Sequence, residues 1–366
     1  MKITKAILTG GGRATRLRPI TTTINKHLIP LANKPMIFHA IDKVVEAGVK
    51  EIFINTNPGE TQLQKVVGDG ARWGVSIKYF EQTGGPQGIA HVVNCAKDFI
   101  GDDPFMFYLS DNIILGSLVP FFEEFERKNH DCMLAFSKVD DPERFGVPVF
   151  DANKKLVEII EKPSAPTSNF AVTGIYLYGP KIFFEAFNHI QKSPRGEYEI
   201  SDIHSYFLKN GRSVGWKEIT GWWKDTGKPE DLIMANTLLL GEMKKSEFSR
   251  FDSPLGRGRN KLAMLKGNVH IGEGTTIGPG VKIVGPVIIG NHCALSQCSI
   301  GPNVTIGSGS SIRLASISNS IIFSNCTIES KIKISDSIIG DQAKVMKNKI
   351  KKVHRLIIGD QTLIEL

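Results

Sequence analysis

The chain has 366 residues, of which 41% are hydrophobic and 22% charged, and its formal net charge is +8. That composition excludes an intrinsically disordered chain, and the length predicts two domains, each with its own core. No run approaches the about 18 apolar residues of a membrane helix and no leader-like stretch precedes the first strand, so a soluble cytoplasmic protein with no membrane partner is expected.

The first predicted strand, residues 6–8, stops at Gly10-Gly11-Gly12 and is followed by Arg13, Arg16 and Lys26. Glycines let backbone N–H groups approach an anion closely, and cationic side chains then neutralise it, which is chemistry suited to a polyphosphate. Neither the P-loop pattern G-x-x-x-x-G-K-S/T nor the dinucleotide fingerprint G-x-G-x-x-G is present. Further short apolar runs at 51–55, 77–80, 105–109 and 133–139 read as strands, and 36–47 and 118–128 as amphipathic helices. Their alternation predicts a doubly wound sheet whose ligands bind at the C-terminal strand ends.

The strand at 105–109 ends in Ser110-Asp111-Asn112, and a second carboxylate, Asp225, follows Trp222-Trp223-Lys224. Two carboxylates with few other ligands suit Mg²⁺, which takes its remaining ligands from water and substrate phosphates; a cap at Asp111 and a turn at Asp225 are the plain alternatives. Between residues 241 and 266 the pattern fades into a linker. Beyond it Ile271, Ile277, Ile283, Ile289 and Leu295 recur at six-residue steps, then Ile300, Ile306 and Ile312 after a shortened step, with weaker copies at Ile322, Ile328 and Ile334. A six-residue period places every sixth side chain inside a triangular coil. The predicted division is therefore 1–240, a linker at 241–266, and a repeat domain at 267–366, whose exposed coils favour a homo-oligomer, a trimer or larger.

The five cysteines form no C-x-x-C pair, which fits a reducing compartment without a disulfide framework or zinc site. Lys344, Lys347, Lys349, Lys351, Lys352 and Arg355 cluster near the C-terminus with no interleaved aromatic, so they read as a solvated face and no nucleic-acid partner is expected.

Gly11-Gly12-Arg13-Ala14-Thr15-Arg16-Leu17, with Asn25-Lys26-His27-Leu28-Ile29-Pro30, resembles the signature of the sugar-1-phosphate nucleotidylyltransferases, and within it the long-form glucose-1-phosphate thymidylyltransferases. The family pattern is G-G-x-G-T-R-L, so Ala14 stands where a third glycine is usual. The resemblance implies a Rossmann-like doubly wound mixed sheet followed by a left-handed parallel β-helix of hexapeptide repeats. It also implies a Mg²⁺-dependent enzyme joining glucose 1-phosphate to dTTP or UTP with release of pyrophosphate. By resemblance Arg16 and Lys26 act on the reacting phosphates, and Asp111 and Asp225 hold the metal. Gly10, Gly11, Gly12 and Asn112 would contact the nucleotide, as would Gln82 and Gly88 of a base loop matching Q-x-x-P-x-G-L-A with one extra residue. Glu161-Lys162-Pro163 matches E-K-P, so Glu161 and Lys162, with Gly146, Val172 and Glu197, would line the sugar-phosphate pocket.

Two other functions remain open on the sequence. Hexapeptide β-helices carry acetyltransferases, for which His270, His292 and His354 are candidate bases. A sugar-nucleotide sensor or scaffold without turnover is the other.

Overall fold

The computed structural model describes residues 1–12, 14–82, 84–219, 221–243, 249–251, 254–255, 263–347, 353–354, 356–360 and 363–365. Most of the linker expected at 241–266 and the basic residues Lys349, Lys351, Lys352 and Arg355 lie outside them. The chain divides into two compact units, one of residues 1–12 and 37–224, the other of residues 13–36 and 225–366. Among the described residues no helix is long and apolar enough to cross a membrane.

The first unit is built on a nine-stranded mixed sheet. Its parallel half runs Phe105–Tyr108, Lys5–Thr9, Glu51–Thr56, Ser76–Glu81. Ala6, Ile7 and Leu8 have no exposed surface, as expected of a central strand covered on both faces. Helices Met36–Glu46 and Val119–Lys128 return the chain between strands; the second turns Phe121, Phe122 and Phe125 inward and ends at Asn129 in the left-handed conformation. The sheet becomes mixed at Phe170–Tyr178, which pairs antiparallel with Phe105–Tyr108, Cys132–Lys138 and, at Val172, with Gly146. A short connection between Gly146–Phe150 and Leu156–Glu161 makes a hairpin, which requires antiparallel pairing.

In the second unit the hexad positions stack in three parallel ladders. One ladder places Leu265, Ile283, Ile300, Ile317 and Ile334 in register, a second Ile271, Ile289, Ile306, Ile322, Ile339 and Ile358, and a third Ile277, Leu295, Ile312, Ile328 and Val345. These side chains fill the interior of a parallel β-helix, with Cys293, Cys298 and Cys326 among them. Burial pushes the Cys298 and Cys326 thiols up to about 12, so they behave as small apolar groups. On the second face the alternate residues Ile288, Thr305 and Ile321 point outward yet remain buried. Helix Pro229–Glu242 helps to cover that face: Thr237 Oγ1 donates to Asn319 Oδ1 at 2.9 Å, and Leu240 packs with Ile288, Ala32 and Met243.

Candidate active site

The glycine turn leaves the C-terminal end of Lys5–Thr9, beside the end of the neighbouring parallel strand Phe105–Tyr108. Ser110 N donates to Thr9 Oγ1 at 2.9 Å, tying the two strand ends together. Each glycine has its own physical reason. A Cβ on Gly10 would meet Asn55 O at 2.6 Å, one on Gly11 would meet Asn55 Nδ2 at 2.8 Å, and Gly12 has φ of 118°. The turn is laced to the next strand end by two asparagines that the sequence reading passed over. Gly10 N donates to Asn55 Oδ1 at 3.0 Å, and Gly12 N to Asn57 Oδ1 at 2.8 Å while Asn57 Nδ2 returns a bond to Gly12 O at 3.2 Å. Their signal was available, since Asn55 is the penultimate residue of the strand adjacent to the glycine turn and Asn57 follows that strand directly. An anion reaching the Gly12 N–H must displace the Asn57 amide, which is exposed enough to move.

Asp111 is half-buried just past this strand end, and Asn112 Nδ2 donates to its Oδ1 at 2.9 Å. Asn112 is 3% exposed; its Oδ1 accepts from Trp223 Nε1 at 2.8 Å and from Gly174 N at 3.3 Å. The Asn112 side chain is thus buried and engaged at both ends, and its amide nitrogen holds one oxygen of Asp111. Beneath it Tyr108 OH donates to Asn112 O at 2.7 Å, and burial, with Asp111 nearby, holds that phenol well above its ordinary range.

The expected sugar-phosphate residues form a row across three antiparallel strands, Glu161 opposite Gly146 and Gly146 opposite Val172. A Cβ on Gly146 would stand 3.4 Å from Glu161 Oε2 and 3.7 Å from Val172 Cβ, so the glycine keeps a notch between them. Lys162 adopts φ of 46°, and its Nζ lies 2.8 Å from Glu161 Oε1. Arg195, which the sequence reading did not single out, has its guanidinium 3.8 Å from Glu161 and 2.8 Å from the buried Glu199. Two cations thus flank Glu161, and the carboxyl of Asp202 is raised by burial and by Glu199 and Glu161. Such a cluster can bind hydroxyls through the carboxylates and a phosphate through Lys162 or Arg195.

The base loop closes on the same wall. A Cβ on Gly88, which has φ of 89°, would strike Tyr198 O at 2.5 Å and Glu197 Cβ at 3.1 Å, and Tyr198 N donates to Gln87 O at 2.8 Å. Gly88 and Glu197 are therefore neighbours, an association across a long stretch of chain that no local pattern reveals. Gln82 is held beside His91, and the His91 ring stacks on Tyr198 at 6.2 Å between centroids.

The remaining site residues belong to the second unit. Arg16 lies exposed in the 3₁₀ turn Thr15–Leu17, and Ala14, which starts that turn, is left-handed with φ 42° and ψ 41°. Lys26 is half-buried in the turn Lys26–Leu28, capped where Asn25 Oδ1 accepts from His27 N at 2.9 Å. Asp225 is half-buried, and Gly227 has room only for hydrogen toward it, since a Cβ would stand 3.0 Å from Asp225 Oδ2. Among the described residues no three His, Cys, Asp or Glu side chains gather as a metal cage. Asp111 in the first unit and Asp225 in the second each offer hard carboxylate oxygens, donors of the kind Mg²⁺ takes alongside water and phosphate and unlike the thiolate and imidazole sets of structural zinc.

His292 holds a coil corner at φ 55°, its N–H donating to Glu273 O at 2.8 Å, and His270 is exposed on the outer side of a strand. Both imidazoles occupy regular positions of the coil.

Residues 5–242 match the nucleotidyl transferase family, and residues 283–365 match the GMPPB C-terminal domain. The low-salt glycan biosynthesis nucleotidyltransferase Agl11 of Haloferax volcanii is 35% identical over 99% of this chain and 100% of its own length. A glucose-1-phosphate thymidylyltransferase of Streptomyces antibioticus is 32% identical over 99% of each chain. Among solved structures, a candidate glucose-1-phosphate thymidylyltransferase of Bacillus anthracis in complex with sucrose superposes with a TM-score of 0.60 and 40% identity, over 64% of this chain and 94% of that one. A glycine turn beside an acidic strand end, a glutamate flanked by cations, and a β-helix after them thus go with a known enzyme family: the chain belongs to the nucleotidyl transferase family, in its long form with a C-terminal β-helix.

Proposed function

We propose that this chain joins glucose 1-phosphate to dTTP or UTP in a Mg²⁺-dependent reaction, giving the nucleotide diphosphate glucose and pyrophosphate. The observation that carries this reading is the side-by-side exit of Gly10-Gly11-Gly12 and Asp111 from adjacent parallel strands, which supports a phosphate on the glycine backbone beside a carboxylate that would hold the metal. The names of the relatives support the sugar and the nucleotide. In the reaction a phosphate oxygen of the sugar phosphate forms a bond to the α-phosphorus of the triphosphate while the bond to the β-phosphate bridging oxygen breaks. No protein nucleophile is required, so positioning and charge neutralisation carry the step.

In this reading Glu161 and Glu197 accept hydrogen bonds from sugar hydroxyls, the notch at Gly146 beside Val172 admits the ring, and Lys162 meets the sugar's phosphate. Arg16 and Lys26 neutralise the triphosphate and the departing pyrophosphate, and Gln82 with the Gly88 backbone meets the base. Asp111 and Asp225 would hold Mg²⁺, which when bound supplies charge neutralisation at the phosphates. The β-helix faces serve a homo-oligomer. Purified protein given Mg²⁺ and glucose 1-phosphate should release pyrophosphate with dTTP or UTP, and Asp111→Asn should abolish release while sparing the fold. Silence across the common triphosphates and sugar phosphates would reject the proposal, and unchanged turnover in Asp111→Asn would reject the metal assignment.

A further inference from the structure

The segment that carries Arg16 and Lys26 folds with the second unit, and it is tied to that unit near both ends. At the far end Ala32 N donates to Asn236 Oδ1 at 2.8 Å, and Asn33 Nδ2 donates to Ile306 O at 2.7 Å. At the near end Pro19 lies against the coil that contains Gly359: a Cβ there would come within 3.2 Å of Pro19 O. The next residue, Asp360, divides its carboxylate. Its Oδ1 accepts from Asp341 N at 2.8 Å, one coil earlier, and its Oδ2 accepts from Thr23 Oγ1. Thr21 Oγ1 in turn donates to Ala14 O at 2.8 Å, closing the loop onto the residue that starts the Arg16 turn.

Left to itself this segment has little to hold it. It consists of the 3₁₀ turns Thr15–Leu17, Ile20–Thr22 and Lys26–Leu28, and such short turns have weak hydrogen-bond geometry and no cooperative length. Leu17 and Ile20 are buried anchors, and Thr23 adds a polar contact from the stretch between Arg16 and Lys26 to the coil. Positioning errors of about 1 Å in a catalytic group cost rate steeply, so a contact that fixes this stretch has a catalytic consequence.

We propose that the coil at Gly359 and Asp360 braces the phosphate-handling loop, with Asp360 acting through Thr23 as a positioning residue for Arg16 and Lys26. The β-helix is then part of the catalytic apparatus and not only an assembly module. The catalytic half of this inference rests on the proposed function; the brace itself does not.

The test uses the full-length chain and the variants Thr23→Ala, Thr23→Ser, Asp360→Ala and the double alanine variant. Two quantities are read, kcat/KM for pyrophosphate release and amide hydrogen exchange across residues 14–25. Thr23→Ala and Asp360→Ala should each lower kcat/KM about tenfold, the range of a lost hydrogen bond to a charged group, and speed exchange in 14–25 by a similar factor. The double variant should be no worse than the poorer single variant, Thr23→Ser should keep the original values, and exchange in the coil at 299–306 should not change. Additive losses, or exchange in 14–25 that does not respond, overturn the brace. Thr23 is exposed and lies outside the coil interior, so its variants remain informative if Asp360→Ala unfolds the coil. If the unaltered chain releases no pyrophosphate from any triphosphate, the functional reading fails by itself and the exchange data alone decide the brace.

Discussion

Gln82 Nε2 stands 3.2 Å from His91 Nδ1, a pairing in which the amide is the donor and the imidazole the acceptor. An amide nitrogen can only donate, so the His91 Nδ1 lone pair accepts and the ring must be neutral with its proton on Nε2. The carbonyl is then the remaining hydrogen-bonding end of the Gln82 amide, an acceptor of the kind that matches the N3–H of thymine or uracil.

Burial lowers the His91 pKa below 6.5, and Lys192 lowers it further. The folded protein therefore binds this proton less readily than the unfolded chain, so the stability tied to the neutral ring is present above the unfolded value and is lost as pH falls below it. KM for the triphosphate is expected to stay flat from about pH 8 to about pH 6.5, the ordinary histidine value, and to rise at more acid pH. His91→Phe should remove that acid limb and weaken discrimination between pyrimidine and purine triphosphates about tenfold, the range of one lost hydrogen bond; pH profiles of kcat/KM for both proteins check this.

Ala14 occupies the left-handed region at φ 42°, where a β-carbon costs about 1–2 kcal/mol and glycine pays nothing. Glycine loses more freedom on folding, which offsets about 0.4–1 kcal/mol. Ala14→Gly is therefore expected to range from neutral to about 1.6 kcal/mol more stable in urea titrations, with triphosphate affinity retained. A destabilisation beyond that range contradicts the backbone assignment.

Asn112→Ala removes the acceptor of both the Trp223 indole and the Gly174 N–H in a buried setting. An orphaned buried donor costs about 1–3 kcal/mol, so the pair should cost about 2–6 kcal/mol. Urea unfolding followed by tryptophan fluorescence reads this directly. A loss under 1 kcal/mol, about the worth of one ordinary bond, would mean that water replaces the side chain.

Ile300 is fully buried between Ile283 and Ile317 in one ladder. Truncation to alanine leaves a cavity in a narrow interior that cannot collapse, for about 2–5 kcal/mol. All four tryptophans, Trp73, Trp216, Trp222 and Trp223, belong to the first unit. Ile300→Ala should therefore lower the urea midpoint seen by far-UV circular dichroism before the fluorescence transition moves. Coincident shifts of equal size would show that the two units unfold together.

The residues of the site were legible to different depths. The glycine turn, Asp111 and the isoleucine hexads announce themselves because their cause is local: a strand that ends in glycine, a carboxylate at a strand end, and a period that fits a three-sided coil. Chain order, however, carries no information on what a side chain will spend its hydrogen bonds on. Asn112 spends its amide on Trp223, Gly174 and Asp111, and Asn55 and Asn57, which no motif marks, lace the glycine turn.

Period and composition by themselves determined that this chain makes an α/β sheet and then a β-helix, since buried apolar repeats admit few other solutions. Only tertiary structure decided that Gly88 meets Glu197, that Glu161, Gly146 and Val172 share one row, and that Thr23 reaches Asp360. Those pairings depend on strand register and on which surfaces dock, quantities set by the balance of burial and polar satisfaction over the whole unit and by no single stretch of residues.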